Sequence, residues 1–226
     1  MTLTQPSFAT SKQSSKPVGR RERHRAEIRE RLFRAALQVF GEKGFSQTTC
    51  EDITNAADVG KGTFFNYFPS KEHIVLAFSE MQLGKLRAFV EEARGMLEPA
   101  HLVQRLSERM SVEPGRSPAI TRVLLRANLA TEPVRSAMYA YEQEGLSLLS
   151  QVVEIGQQRG EIRRDRPPAE IASFLRQLYF GTMLLWTLHP DVPLKDRLSS
   201  SFGLLWSGIA APAALSEGLY ADRKGE

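Results

Sequence analysis

From residue 20 onward the apolar residues recur three and four positions apart and nowhere alternate with polar ones over a β-branched run. Such a chain has no material for a sheet and must build itself by packing helices. Ile28, Leu32, Ala35, Ala36, Val39 and Phe40 fall on one helical face with charges opposite, and Gly44 supplies a left-handed stop. A short second helix starts near Thr48 and Thr49, where Thr48 and Glu51 have capping-box spacing, and carries Ile53, Ala56 and Ala57. After Asp58-Val59-Gly60 a third helix runs from Lys61 to Phe68 and stops at Pro69; Ser70 then caps a long fourth helix reaching Leu97 and broken at Pro99. Five more follow: His101 to Met110, Pro118 to Ala130 behind the cap Ser117, Thr131 to Gly160, a segment opened by Asp165–Pro168 and ending at Leu188, and one opened by Asp191–Pro193 and ending at Pro212. The expected fold class is all-α, with about nine helices.

Hydrophobic residues make up 42% of the 226 and charged residues 25%, which suits a globular chain with a sizeable core and excludes collagen, mucin-like stalks and wholesale disorder. The single cysteine, Cys50, cannot close an internal disulfide, which fits a reducing compartment. Met1 to Arg20 has no apolar h-region, and the longest apolar run, Leu178 to Leu188, is about half of what a bilayer span needs. The expectation is a cytoplasmic protein without a membrane partner. Residues 1–19 read as a disordered arm. Residues 1–25 hold six Lys or Arg against one Glu, more positive charge than the whole chain's +4. The arm is either a solvated tail or a cationic strand, with Arg20, Arg21 and Arg23, that reaches a nucleic-acid groove.

The first three segments have a helix-turn-helix layout. The third is too short to be stable alone, so Val59, Phe64 and Phe68 must pack against Ile53, Val39 and Phe40. What then faces outward is Lys61, Gly62 and Thr63, followed by Asn66 and Tyr67. Lys61 and Asn66 can donate to base edges or phosphates, Thr63 can bond or touch a thymine methyl, and Gly62 lets the backbone come close. The starts of helices two and four, at Thr48/Thr49 and Ser70/Lys71, are natural backbone clamps.

The run from Arg31-Leu32-Phe33 through Gly44-Phe45, Thr48-Thr49-Cys50-Glu51-Asp52-Ile53 and Val59-Gly60-Lys61-Gly62-Thr63-Phe64-Phe65-Asn66-Tyr67-Phe68-Pro69-Ser70-Lys71-Glu72 resembles the DNA-binding domain of the tetracycline-repressor (TetR) family. The resemblance covers residues 28 to about 80. It implies an N-terminal three-helix DNA-binding domain (20–69), a linker helix (70–98), a C-terminal helical ligand-binding and dimerisation domain (99–212) and a tail (213–226). It further implies a homodimer that binds a double-stranded DNA operator and an unknown small-molecule effector, most often as a repressor. By position, Lys61, Gly62, Thr63 and Phe65 sit where the family contacts bases or nearby sugars, and Thr49, Asn66, Tyr67 and Lys71 where it contacts phosphates. Gly60 replaces the usual Ser cap and Phe65 a frequent Tyr, so any base contact at Phe65 must be apolar. Cys50 stands where Val or Thr is common, either as a buried structural thiol or as a redox sensor without a resolving partner.

Residues 171–188 are apolar on nearly every side, including Phe174, Leu178, Leu185 and Trp186. A helix apolar all round must be covered all round. One domain covers one face; the other needs a partner chain, with Leu198, Phe202, Leu205 and Ile209 on the next helix as a second stripe, unless the whole is an ordinary monomer core. Leu125, Arg126, Tyr139, Tyr179, Met183 and Trp186 either line a ligand pocket or pack a plain core. Arg122 and Arg126 either meet an anionic ligand or form a solvated face. His24, His73, His101 and His189 are isolated, so no metal or other cofactor is expected. Two other readings compete with a regulator: an enzyme on a helical bundle, and a helix-turn-helix protein acting through protein partners. Against the enzyme, the chain has no Gly-rich phosphate loop, no GxSxG and no paired-carboxylate motif.

Overall fold

A computed structural model describes residues 19–96, 101–127 and 132–211. Nine α-helices run through these residues, and the only β pairing among them is one antiparallel bridge, Ile162 to Ala210. Helices α1 (Arg20–Lys43), α2 (Cys50–Ala56) and α3 (Lys61–Phe65) form a head. Helix α4 (Glu72–Gly95) leads from it into a bundle of α5 (Leu102–Ser111), α6 (Pro118–Ala127), α7 (Glu132–Gln158), α8 (Pro168–Leu188) and α9 (Leu194–Ile209). A 3-10 turn, Pro114–Arg116, joins α5 to α6. No helix among the described residues is long and apolar enough to cross a membrane. The expected arm (through residue 18), the end of the fourth helix at Leu97 and Pro99, the start of the seventh at Thr131, and the tail lie outside the described residues.

The head closes around Leu32, Ala36, Phe40, Ile53, Phe64 and Phe68, all essentially without solvent exposure. Burying one such large side chain is worth about 1.5–3 kcal/mol. A five-residue helix has almost no stability of its own, so α3 exists because Phe64 is anchored. It is also shorter than its sequence pattern suggested. Asn66 takes the C-cap position, still with helical dihedrals, and a further turn is closed by the Phe68 N–H on the Phe64 carbonyl at 2.9 Å before Pro69. Gly44 ends α1 at φ +80°, with its N–H bonded to the Phe40 carbonyl at 3.0 Å. Its ψ of 156° makes this an extended exit rather than a left-handed turn.

Two caps differ from the sequence expectation. The capping box at α2 is Thr49 with Asp52, not Thr48 with Glu51: Asp52 N–H donates to Thr49 Oγ1 at 3.1 Å and Thr49 N–H to Asp52 Oδ2 at 2.9 Å. At α4 the Ser70 hydroxyl donates to Glu72 Oε2 instead of receiving a helix amide, and Lys71 holds the cap position.

The head and the bundle share their cores. Ile74, Val75 and Phe78 of α4, with Val123 and Leu124 of α6, belong to the head's apolar cluster. Further along α4, Leu86, Phe89, Val90 and Ala93 pack with α5 and α7. The expected boundary at residue 70 is therefore crossed by one continuous core.

Candidate nucleic-acid interface and internal cavity

Of the five residues expected to face outward here, Lys61, Gly62 and Asn66 are exposed while Thr63 and Tyr67 are half-buried at the rim; Phe65, a base-contact position by the resemblance, is exposed as well. Phe65 lies edge-on to buried Phe64, with ring centroids 5.4 Å apart, and more than half of its surface is free. Gly62 has no internal reason to be glycine, since a Cβ built there would meet nothing within 4 Å. Glycine in a helix is destabilising by about 1 kcal/mol relative to alanine, and no packing contact among the described residues calls for it here. The Lys61 ammonium stands 3.3 Å from Glu51 Oε2, a largely exposed pair that another anion can replace.

The turn that aims this face is pinned from α1. Arg31 donates to the Ala57 carbonyl at 2.6 Å and to the Asp58 carbonyl at 2.7 Å, holding the last turn of α2 where Asp58 adopts φ +50°. Arg25 sits 6.0 Å above the Tyr67 ring and Arg29 5.3 Å above Phe68. Lys43, in the last turn of α1, donates to Asp52 at 2.6 Å. With help from the Thr49 N–H, that bond holds the Asp52 carboxyl down at about 2. Burial, followed by the Glu72 charge, pushes the half-buried Cys50 thiol up, away from a reactive thiolate.

Three expected contact residues are placed differently. Thr48 is buried, and its hydroxyl donates to the Gly44 carbonyl at 2.8 Å, so its side chain is no phosphate ligand. The Thr49 hydroxyl is exposed but engaged with Asp52 at 2.9 Å. Lys71 turns its ammonium inward, to the carbonyls of Phe45 at 2.8 Å and Thr48 at 2.9 Å and over the Phe45 ring at 4.7 Å. Arg20, Arg21 and Arg23 are exposed on the first turn of α1 rather than on a flexible arm. Cations there oppose the helix dipole, so local stability does not explain them.

Between α4, α5, α6, α7 and α8 lies a cavity of about 190 Å³. Leu125, Tyr179 and Met183 line it as expected. Three other expected liners do not. Arg126 is exposed on α6, Tyr139 is exposed on α7, and Trp186 is buried core whose indole N–H donates to the Val192 carbonyl at 2.9 Å. Arg122 reaches the Thr187 carbonyl from the exposed side of α6. Sequence reasoning missed the α4 wall, Phe78, Gln82 and Leu86, and the α5 residue Met110. The signal was present: Gln82 is a polar residue midway between Phe78 and Leu86 on one helical face.

Helix α8 buries Ile171, Leu175, Met183 and Trp186 in its own bundle. It leaves Phe174, Leu184, Leu185 and Leu188 exposed, a stripe along the opposite side. On α9 the expected outward stripe is corrected. Leu198, Phe202 and Ile209 are buried in the chain's own core and Leu205 is half-buried, while the exposed face carries Ser200, Gly203, Leu204 and Ser207.

Residues 32–78 match the family model described as "Bacterial regulatory proteins, tetR family". The chain is 30% identical over 188 residues to the HTH-type transcriptional repressor DhaR of Mycobacterium sp. (strain GP1), covering 80% of this chain and 93% of that one. It is similar to the structure of Thermus thermophilus FadR, a TetR-family transcriptional repressor in complex with lauroyl-CoA, at 31% identity and a TM-score of 0.57, covering 78% and 92% of the two chains. In fold alone it is similar to FadR of Bacillus subtilis in complex with stearoyl-CoA, at 20% identity and a TM-score of 0.66, covering 80% and 98%.

Proposed function

On the premise that the chain belongs to the TetR family of DNA-binding transcriptional regulators, which are not enzymes, we propose that it is a homodimeric repressor released from a palindromic operator by a small apolar or amphipathic ligand. The observation that carries the DNA reading is the outer face of α3. Lys61, Gly62, Phe65 and Asn66 are exposed on a helix held from behind by Phe64, and a Cβ at Gly62 would touch none of the described residues. In this reading Lys61, Thr63 and Phe65 meet base edges, with Gly62 allowing close approach. Asn66, Tyr67, Thr49 and the α1 cations Arg20, Arg21 and Arg23 meet the backbone.

The exposed stripe of α8 and the small-residue face of α9 form the proposed dimer contact. Two heads on a two-fold axis read half-sites about one helical turn apart. The cavity supplies the switch, because its wall is also the floor of the head. Val75, Phe78 and Leu124 line the cavity and belong to the head's core. Helix α6 touches α1 closely enough that a Cβ on Gly41 would come within 3.3 Å of Ile120 Cγ1. A ligand that fits best when these walls are spread shifts the population toward heads too far apart for adjacent grooves.

A gel shift of the full chain on the DNA upstream of its own gene tests the reading. A retarded band that weakens steeply with salt is expected; no retardation on any duplex at low ionic strength overturns it.

A further inference from the structure

Resting on the reading of the cavity as the effector site, we infer that the effector is an uncharged molecule with an apolar body and one hydrogen-bond donor, a hydroxyl or an amide N–H, which it presents to Gln82.

One carbonyl organises the polar end of the cavity. Met110 O, near the end of α5, accepts from the Tyr179 hydroxyl of α8 at 2.9 Å and from Gln82 Nε2 of α4 at 3.3 Å. Burial pushes the Tyr179 pKa well up, so it stays a phenol; its hydroxyl donates to Met110 O at 2.9 Å and also lies within hydrogen-bonding reach of the Gln82 amide. Turning the Gln82 amide over would give up its bond to Met110 O and set Oε1 against that carbonyl, acceptor against acceptor. Gln82 Oε1 is therefore left buried with no partner among the described residues. A buried acceptor without a donor is rare in folded proteins, and this one belongs to a residue that lines the cavity.

What the site lacks is thus a donor. A ketone, ether, thioester or carboxylate would bring only lone pairs to Oε1. The rest of the wall takes a hydrocarbon: Leu106, Leu175 and Phe202 are fixed apolar surface, and Met138 and Met183 can adapt to the shape of the body. The two charged liners, Glu142 and Arg176, are of opposite sign, so the cavity carries no net charge to recruit an ion. Gln82 stands on α4, the helix whose first turns are embedded in the head, so the bond forms on the element that must move.

Calorimetric titration of the full chain with 1-decanol, decyl methyl ether and decanoate decides the matter. The alcohol should bind about tenfold more tightly than the ether, the equivalent of one net hydrogen bond, and decanoate most weakly. In Gln82→Met the preference for alcohol over ether should fall severalfold, as expected when that acceptor is removed. Equal or tighter binding of the ether or of decanoate by the natural chain overturns the donor assignment but leaves the cavity as an effector site. A preference undiminished in Gln82→Met does the same. Failure of all three to bind overturns both readings. The alcohol-to-ether ratio in the natural chain needs no variant and decides even if Gln82→Met does not fold.

Discussion

Gly62 and Lys71 show how a residue's internal duties change what its substitution means. Alanine at 62 enters open space on a helical backbone and should stabilise the head by about 0.5–1 kcal/mol. In the proposed complex the same methyl stands between backbone and DNA. Gly62→Ala should therefore raise the melting temperature and weaken operator binding, which thermal unfolding and a gel shift measure separately. Lys71 runs the other way. A lysine whose only partner was a phosphate would, when removed, lower affinity and its salt dependence without touching stability. Here the ammonium satisfies the Phe45 and Thr48 carbonyls, so Lys71→Met should destabilise the head by about 1–3 kcal/mol. Both residues were recognisable as important from their place in the motif; the close-approach reading of Gly62 was available there, but the inward duty of Lys71 was not. The Thr48-Thr49 pair shows the same limit. Either hydroxyl could cap α2 by spacing, and only the exit of Gly44, which turns Thr48 inward, assigns the cap to Thr49.

At the scale of elements, the helices were legible wherever an apolar stripe had to be buried, and the ends of the short ones were not. Helices α1, α8 and α9 lie close to where the 3.6-residue period and the flanking Gly and Pro put them. Helix α3 gives way at Asn66 to an irregular turn that carries the chain on to Pro69, and a turn of that kind leaves no mark on periodicity. The junction of α1 and α2 offers a test of how such short elements are tied together. Asp52 there is held at about 2 against an ordinary 3.8, first by the Lys43 bond and then by the Thr49 N–H. A folded-state pKa below the unfolded one means that the contribution is whole above 3.8 and fades as pH falls toward 2. Lys43→Gln should move the Asp52 titration upward toward the ordinary value. Carboxyl chemical shifts followed from pH 6 to pH 2 would reveal it, and an unmoved midpoint would show that the helix N-terminus alone holds the proton off.

For the whole molecule, the apolar side of α8 that the chain's own bundle leaves exposed was legible in the sequence, and it is the face that the proposed second copy would cover. The face of α9 assigned to that proposed contact was not. Its apolar period, Leu198, Phe202, Leu205 and Ile209, serves the chain's own core, while the outward side is built of Ser200, Gly203 and Ser207, residues that hydrophobicity does not flag. Small residues let two helices approach closely, so the bundle across the axis would be held mainly by Phe174, Leu184, Leu185 and Leu188 of each copy, with the mostly exposed Leu204 at its edge. A carboxylate placed at the centre of that stripe would be desolvated against its own image. Leu185→Glu, whose native side chain has no place in the protomer's core, should leave the helical circular dichroism intact and halve the mass measured by light scattering. Operator binding should then fall by about two orders of magnitude or more, because each head alone loses the effective concentration that its twin provides. A variant that becomes monomeric yet binds the operator with undiminished affinity would show that one head suffices. The spacing of heads could then no longer be the quantity that the ligand controls, and the switch would have to act within a single protomer through α4 and α6.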